Sequence, residues 1–245
     1  MNKPLRLCIG LLLLVTLSCN LPGRSRVKVT NHDAPPLTLS SEPFQQAGCV
    51  ADEYGRWTCP AESPLADLGC TRFTAAPALL GGLSPSLPIA LCQILPLEEG
   101  TGILLPEGEY LYQDGCMMPI FVRYVVDTDG AFQVIKNLSE LQAFYAPIDS
   151  SDEALSYALA STGLDAVYGL EYQASFRYFT KSLEDTHVVA NDRVYEVYLY
   201  RYQFCGCGPH TTSLVQVDVG KDGSIQKIQT IPAFEDPKQD GLCVD

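Results

Sequence analysis

The sequence predicts an α+β fold, in which an antiparallel sheet with two short helices follows a disulfide- and proline-rich N-terminal region of loops and short strands. Three observations lead to this prediction. Apolar residues alternate with a period of two in long stretches after residue 190, two helix-start patterns stand between residues 137 and 153, and 10 cysteines and 17 prolines are spread over 245 residues. The chain is 47% hydrophobic and 18% charged, a composition that can bury a core and is not typical of disorder.

The charge balance bears on the partners of the protein. The formal net charge is −13, and a nucleic-acid-binding protein needs a basic face to neutralise phosphates. We therefore expect no nucleic-acid partner.

The N-terminus has the features of a signal peptide. Lys3 and Arg6 form a short positive segment before an apolar run at residues 7–17. This run is too short to span a membrane and has the length of a signal-peptide core. We therefore expect residues 1–18 to be the signal peptide. No other apolar stretch in the sequence approaches the length needed to span a membrane.

The run ends in Leu17-Ser18-Cys19, which resembles a bacterial lipoprotein signal. The resemblance implies cleavage before Cys19, acylation of that cysteine, and attachment of the mature protein to a membrane outside the cytoplasm. Two acyl chains give stable attachment, whereas one gives only a marginal hold. Thr16 and the bulky Leu17 depart from the usual pattern of this signal. The alternatives are an ordinary secretory signal and an uncleaved anchor.

Proline and cysteine divide the first half of the mature chain. Residues 19–48 lack periodicity and contain four prolines, which predicts a lipidated N-terminus followed by a flexible tether. Residues 49–116 are rich in cysteine and proline and predict a loop-rich subdomain without long helices. Its Trp57, the single tryptophan, is interpreted as a core anchor rather than as a ligand-stacking surface.

Residues 117–245 predict the α+β domain. Two β-rich runs, 120–126 and 131–135, flank the turn signal Asp129-Gly130, which is typical of a hairpin. The pair Asp127 and Asp129 has a fragment of a calcium-loop pattern, but the hairpin turn is the better interpretation. Asn137 and Ser150 are each followed three residues later by Glu, the pattern of a helix N-terminus.

The next strand carries a tyrosine stripe. Tyr198, Tyr200 and Tyr202 share one parity with Phe204, so they face the same side of a sheet. A face covered by the helices would make them core, which is the interpretation we favour. An uncovered face would make them a binding surface for a glycan or a protein partner.

Cysteine parity predicts a long-range crosslink. Once Cys8 is removed and Cys19 is lipidated, eight cysteines remain, five in the first region and three in the second. If all of them pair within the chain, at least one disulfide joins the two regions. The eight disulfide candidates are Cys49, Cys59, Cys70, Cys92, Cys116, Cys205, Cys207 and Cys243.

One local motif has the residue types of a metal or redox site. Cys205, Cys207 and His210 offer two thiolates and an imidazole, which suit zinc or copper, and two thiols separated by one glycine suit a labile disulfide. We favour the interpretation that each cysteine pairs with a distant partner, of which Cys243 is an obvious candidate, and keep the metal or redox site as the alternative. No cofactor is expected under the favoured interpretation.

Other catalytic signals are weak. His32 lies in the predicted tether, and His187 follows Glu184-Asp185, where we interpret it as a solvated surface group rather than a polarised base. No nucleophile elbow, zinc-protease motif or phosphate-binding loop occurs in the sequence. The leading hypothesis is a lipid-anchored, extracytoplasmic, non-catalytic binding or envelope-associated module; the alternative is a metal-binding or redox protein using the 205–210 motif.

Overall fold

The computed structural model describes residues 27–99, 102–104 and 108–244 and has the predicted α+β fold. The signal peptide, Cys19 and residues 20–26 of the tether lie outside the described residues. Three α-helices are found in the described part of the chain: α1 (Glu42–Gln46), α2 (Leu138–Tyr145) and α3 (Ser151–Thr162).

The described strands are short at the beginning of the chain and long at its end. In chain order they are β1 (Lys28–Thr30), β2 (Val50–Ala51), β3 (Arg56–Thr58), β4 (Arg72–Ala75), β5 (Ile89–Ile94), β6 (Leu97–Glu99), β7 (Gly102–Leu104), β8 (Tyr112–Asp114), β9 (Ile120–Thr128), β10 (Ala131–Ile135), β11 (Arg177–Tyr178), β12 (Ser182–Glu184), β13 (His187–Ala190), β14 (Val194–Tyr202), β15 (Gly206–Cys207), β16 (Thr211–Gly220), β17 (Ile225–Glu235) and β18 (Cys243–Val244).

The strands form two main antiparallel sheets. The first has the order β10-β9-β5-β4-β3-β2, with β8 also paired to β9, and the second has the order β11-β17-β16-β14-β13. Three two-stranded pairs complete the topology, among them the parallel pair of β1 with β12.

The predicted hairpin and both predicted helix starts are present. Thr128 pairs with Ala131 around the two-residue turn Asp129-Gly130, whose positive φ angles of 56° and 88° match the turn that joins twisted strands directly. Asp127 accepts a hydrogen bond from the backbone N–H of Gly130 at 2.9 Å, so its carboxylate serves the turn.

Helix α3 is buried on all sides. Ser150 caps it through a capping box with Glu153, and every residue from 154 to 161 is buried. Its small residues allow close neighbours: the Ser156 hydroxyl donates to the Leu79 carbonyl at 2.5 Å, and a Cβ on Gly82 would lie 2.5 Å from that hydroxyl oxygen. The helix therefore fills the space between the first sheet and the second, where one main core gathers.

A second core covers the other face of the first sheet. Phe44 of α1 is fully buried and lies 4.9 Å, centroid to centroid, from Trp57. Val125 faces this second core, whereas Tyr124 and Val126 face the main core, as the alternation of a strand requires. The interpretation of Trp57 as a core residue agrees with its 9% exposure.

The predicted tether is too long. Within residues 27–48, β1 pairs with β12 in parallel register and Phe44 anchors α1 in the second core. The prediction was wrong for this stretch because these residues contact strands and core residues elsewhere in the chain. Local periodicity in the sequence does not indicate such contacts.

The predicted boundary at residues 116 and 117 does not separate two units. Strand β9 from the second region pairs with β5 from the first over six residues, from Ile89 opposite Val126 to Ile94 opposite Phe121. The first sheet therefore contains strands from both predicted regions.

All eight predicted cysteines are in disulfides, and one of these joins the two predicted groups. Cys116 bonds to Cys205 across a sequence separation of 89, which is the long-range link that parity requires. The four pairs are Cys49 with Cys59, Cys70 with Cys92, Cys116 with Cys205, and Cys207 with Cys243.

The described helices are all short. None of them combines the length and the apolar character needed to cross a membrane.

Candidate functional site

The structure separates the members of the predicted tyrosine stripe. Helix α3 packs on the opposite face of β14, where Tyr195, Val197 and Leu199 join the main core. The stripe therefore faces away from the helices, which is the condition that the sequence analysis set for a binding surface.

Part of that face is covered by another segment. Tyr200 is 1% exposed, and its hydroxyl donates to the Glu184 carbonyl at 2.5 Å. The ring of His187 stacks on Tyr198, with centroids 4.4 Å apart. The interpretation as core is therefore confirmed for Tyr200, although β12 and the turn after it cover the residue instead of the helices. The alternative of a binding surface is wrong at this position.

The open end of the stripe borders a cleft. Tyr202 and Phe204 are 39% and 36% exposed, and both line a cavity of about 670 Å³, a volume in the range of small-ligand sites. Residues of β8, of the turn after α3 and of the chain after β14 line it: Gln113, Asp114, Gly115, Thr162, Gly163, Leu164, Asp165, Tyr200, Arg201, Tyr202, Gln203, Phe204 and Cys205.

Three structural features hold the walls of the cleft. Asp165 forms a two-way backbone bridge with Tyr200, with N···O distances of 3.0 and 2.8 Å. Gly163 ends α3 at φ 64°, and a Cβ there would lie 2.3 Å from the ring of Tyr112, so β8 approaches the helix end closely. The disulfide from Cys116 to Cys205 ties the chain after β8 to the chain after β14.

The lining of the cleft carries two carboxyl groups, those of Asp114 and Asp165, and one guanidinium, that of Arg201. Desolvation raises the pKa of Asp165, and the negative charge of Asp114 raises it further. The Tyr202 hydroxyl is hydrogen-bonded to the Gln239 side chain, which fixes the ring at the rim. The cleft thus combines exposed aromatic faces with the carboxylates of Asp114 and Asp165 and the amides of Gln113 and Gln203.

The predicted metal or redox motif does not form. Cys205 bonds to Cys116 and Cys207 to Cys243, so neither offers a thiolate and they do not bond to each other. His210 is 2% exposed, and its two ring nitrogens lie 2.9 and 3.2 Å from the carbonyl oxygens of Gln203 and Leu242. The favoured interpretation, in which each of these cysteines pairs with a distant partner such as Cys243, is therefore confirmed. The alternative of a metal or redox site at Cys205, Cys207 and His210 is wrong because both sulfurs are bonded elsewhere in the fold.

The two remaining histidines meet, which the sequence analysis missed. His32 lies after β1, and its ring stacks on that of His187 with centroids 4.5 Å apart. His187 is half-buried rather than a freely solvated group. No spacing in the sequence signals this contact, because the pairing of β1 with β12 creates it.

Comparisons of the chain with protein-family models, with curated proteins and with solved structures found no match.

Proposed function

We propose that the chain is a lipid-anchored, extracytoplasmic, non-catalytic binding protein, and that the cleft beside Tyr202 takes a carbohydrate without anionic groups. The observation that carries the ligand proposal is the juxtaposition of the exposed rings of Tyr202 and Phe204 with the carboxylates of Asp114 and Asp165.

Two features support the extracytoplasmic location. The segment ending at Cys19 resembles a lipoprotein signal, and the four disulfides of the described residues are typical of an oxidising compartment. A protein attached through acyl groups on Cys19 is held at the membrane surface without a spanning helix.

The chemistry of the cleft favours a sugar ligand. Aromatic rings offer flat apolar faces to the C–H groups of a pyranose, and a fixed Tyr ring is ordered at low entropic cost. Carboxylate and amide oxygens accept hydrogen bonds from sugar hydroxyls. The carboxylates of Asp114 and Asp165 outnumber the single guanidinium of Arg201 in the lining, so a neutral or N-acetylated sugar suits the cleft better than a sulfated or uronic one.

The test is isothermal titration calorimetry of the purified protein with N-acetylated chito-oligosaccharides, with neutral glucans and with a sulfated glycosaminoglycan. We expect saturable binding of an uncharged oligosaccharide and none of the sulfated one. Tyr202→Ala removes an aromatic ring of the cleft, and truncating an aromatic anchor of a binding site typically weakens binding by about 10-fold or more.

Tyr54→Ala is the matched control, since Tyr54 is 72% exposed and does not line the cleft. We expect its affinity to equal that of the unaltered protein. The proposal is refuted if no uncharged oligosaccharide binds, or if Tyr202→Ala and Tyr54→Ala bind with the same affinity as the unaltered protein.

A further inference from the structure

We propose that His32, Glu184 and His187 form a binding site for a divalent transition-metal ion such as Zn²⁺. One ligand atom from each of the three side chains lies within 4.8 Å of the others. Two imidazoles and one carboxylate are a common donor set for zinc, with the remaining coordination positions left to water or a ligand.

The fold brings these three residues together through two strand pairings. Thr30 of β1 lies opposite Glu184 of β12, and the Asp185 N–H donates to the Thr30 carbonyl at 3.1 Å. His32 follows two residues after Thr30, and His187 opens β13 opposite Tyr198 of β14. The strands therefore hold Glu184 and His187, and the hydrogen bond from the His32 backbone N–H to the Asp185 side chain at 2.9 Å holds the segment that carries the third donor.

Asp185 orients both histidine rings. Its side chain is fully buried, and its Oδ1 lies 2.8 Å from Nδ1 of His32. Its backbone carbonyl lies 2.6 Å from Nδ1 of His187. A carbonyl oxygen only accepts, so Nδ1 of His187 carries the proton and its Nε2 in the neutral ring carries a lone pair.

The same reasoning applies to His32. The Asp185 side chain accepts hydrogen bonds from the backbone N–H groups of His32 and Gly169 at 2.9 and 3.0 Å, so its oxygens face the His32 ring as acceptors. It therefore accepts the Nδ1 proton of His32 as well. Metal-binding histidines typically donate their second nitrogen to a carboxylate or a backbone carbonyl in this way.

The spacing of the donor atoms fits a shared cation. Nε2 of His187 lies 3.7 Å from a carboxylate oxygen of Glu184, which is too long for a hydrogen bond. Two ligand atoms on a tetrahedral zinc ion are about 3.4 Å apart, given bonds of about 2.0–2.2 Å. The three ligand atoms lie within 4.8 Å of one another, and Glu184 and His32 are exposed, so their side chains have room to approach a shared ion.

The packing around the site favours a fixed geometry. His187 is stacked between His32 and Tyr198, with ring centroids 4.5 and 4.4 Å away, and its side chain is 13% exposed. The carboxylates of Glu184 and Asp185 add negative charge next to the two rings. The site therefore offers a cation one fixed imidazole, that of His187, two exposed ligands that can turn toward it, and a favourable potential.

The test is a titration of the purified, oxidised full chain with Zn²⁺ in competition with a chromophoric chelator, repeated with Co²⁺ to record its visible absorption bands. We expect one ion per chain and visible absorption bands typical of Co²⁺ bound to nitrogen ligands. We also expect the melting temperature to rise when Zn²⁺ is added. Outer-shell partners alone contribute about 10- to 100-fold in metal affinity, so loss of a ligand is expected to lower the Zn²⁺ affinity by at least about 10-fold.

Two variants remove ligands with little change in packing. His187→Phe keeps a ring on Tyr198 but removes the imidazole, and Glu184→Gln keeps the shape of an exposed side chain. Glu171→Gln is the matched control, since Glu171 is also exposed and its substitution removes the same charge. Circular dichroism without metal establishes that each variant is folded.

The proposal predicts that both ligand variants lose affinity while Glu171→Gln keeps it. It is overturned if the unaltered protein binds no Zn²⁺ in a saturable one-to-one manner. It is equally overturned if folded Glu184→Gln binds Zn²⁺ as tightly as Glu171→Gln, because the bound ion would then be held by other groups.

Discussion

Removal of the disulfide between Cys116 and Cys205 is expected to destabilise the protein more than removal of any other disulfide. This bond closes a loop of 89 residues, and the other three disulfides lie outside that loop. Under the chain-entropy model, crosslinking a loop of this length limits the unfolded ensemble by about 4–5 kcal/mol. Typical domains have a free energy of unfolding of about 5–15 kcal/mol, so the expected loss is a large fraction of it.

The double variant Cys116→Ser/Cys205→Ser is compared with Cys49→Ser/Cys59→Ser. The second pair closes a loop with a sequence separation of 10, for which the same model gives about 3 kcal/mol. The expected difference in the free energy of unfolding between the two variants is therefore about 2 kcal/mol. Both partners are replaced together, so that no free thiol is left to form a new bond.

Urea-induced unfolding measures this difference. Far-UV circular dichroism reports the sheets as a whole, and fluorescence of Trp57, which is 9% exposed, reports the second core. Coincident transitions justify the use of a free energy of unfolding. The chain-entropy reasoning is refuted if the short-loop variant is destabilised as much as the long-loop variant.

Three further predictions concern the crosslink, a helix cap and the cleft. Limited proteolysis between residues 117 and 204 is expected to leave the fragments joined on a non-reducing gel and to release them with reductant; separation without reductant would contradict the link from Cys116 to Cys205. Ser150→Ala removes the capping box of α3 and is expected to lower the free energy of unfolding by about 1 kcal/mol, as measured in urea, whereas an unchanged midpoint would mean that the cap contributes nothing. The pKa of Asp165 is raised in the folded state, so the free energy of unfolding falls as the pH rises from the unfolded pKa through the folded one. Asp165→Asn is therefore expected to melt at a higher temperature than the unaltered protein at pH 7 and at a similar temperature at pH 3. A difference in melting temperature found only at pH 3 would contradict this sign.

The sequence predicts those elements whose signals are local. The Asp129-Gly130 turn and the Ser150 cap lie within a few residues of what they determine, so the hairpin and α3 follow directly. Cysteine parity predicts a long-range bond without specifying it, and the pairing of Cys116 with Cys205 needs the fold.

The errors share one physical cause, which is contact between residues far apart in the chain. The predicted tether ignores Phe44, whose buried position depends on Trp57 and on Phe132 of β10. The alternative of a metal site at Cys205 and Cys207 relies on neighbours in sequence and fails because both sulfurs bond elsewhere, as the favoured interpretation expects.

The candidate sites were only partly predictable for the same reason. Strand parity predicts that Tyr202 shares a face with Tyr200, but it does not predict that β12 covers Tyr200 and leaves Tyr202 exposed. His32 reaches Asp185 across 153 positions, a distance at which sequence spacing carries no information. Topology decides which predicted residues meet.

Mass spectrometry of the protein extracted from cell membranes, with free thiols alkylated before lysis, is the most direct test of a lipid-anchored, extracytoplasmic protein. We predict an N-terminal peptide that begins at Cys19 and carries the mass of acyl groups, together with the four disulfides and no alkylated cysteine in the body of the chain. A chain that retains residues 1–18, or alkylated thiols at Cys116 and Cys205, would contradict the proposal.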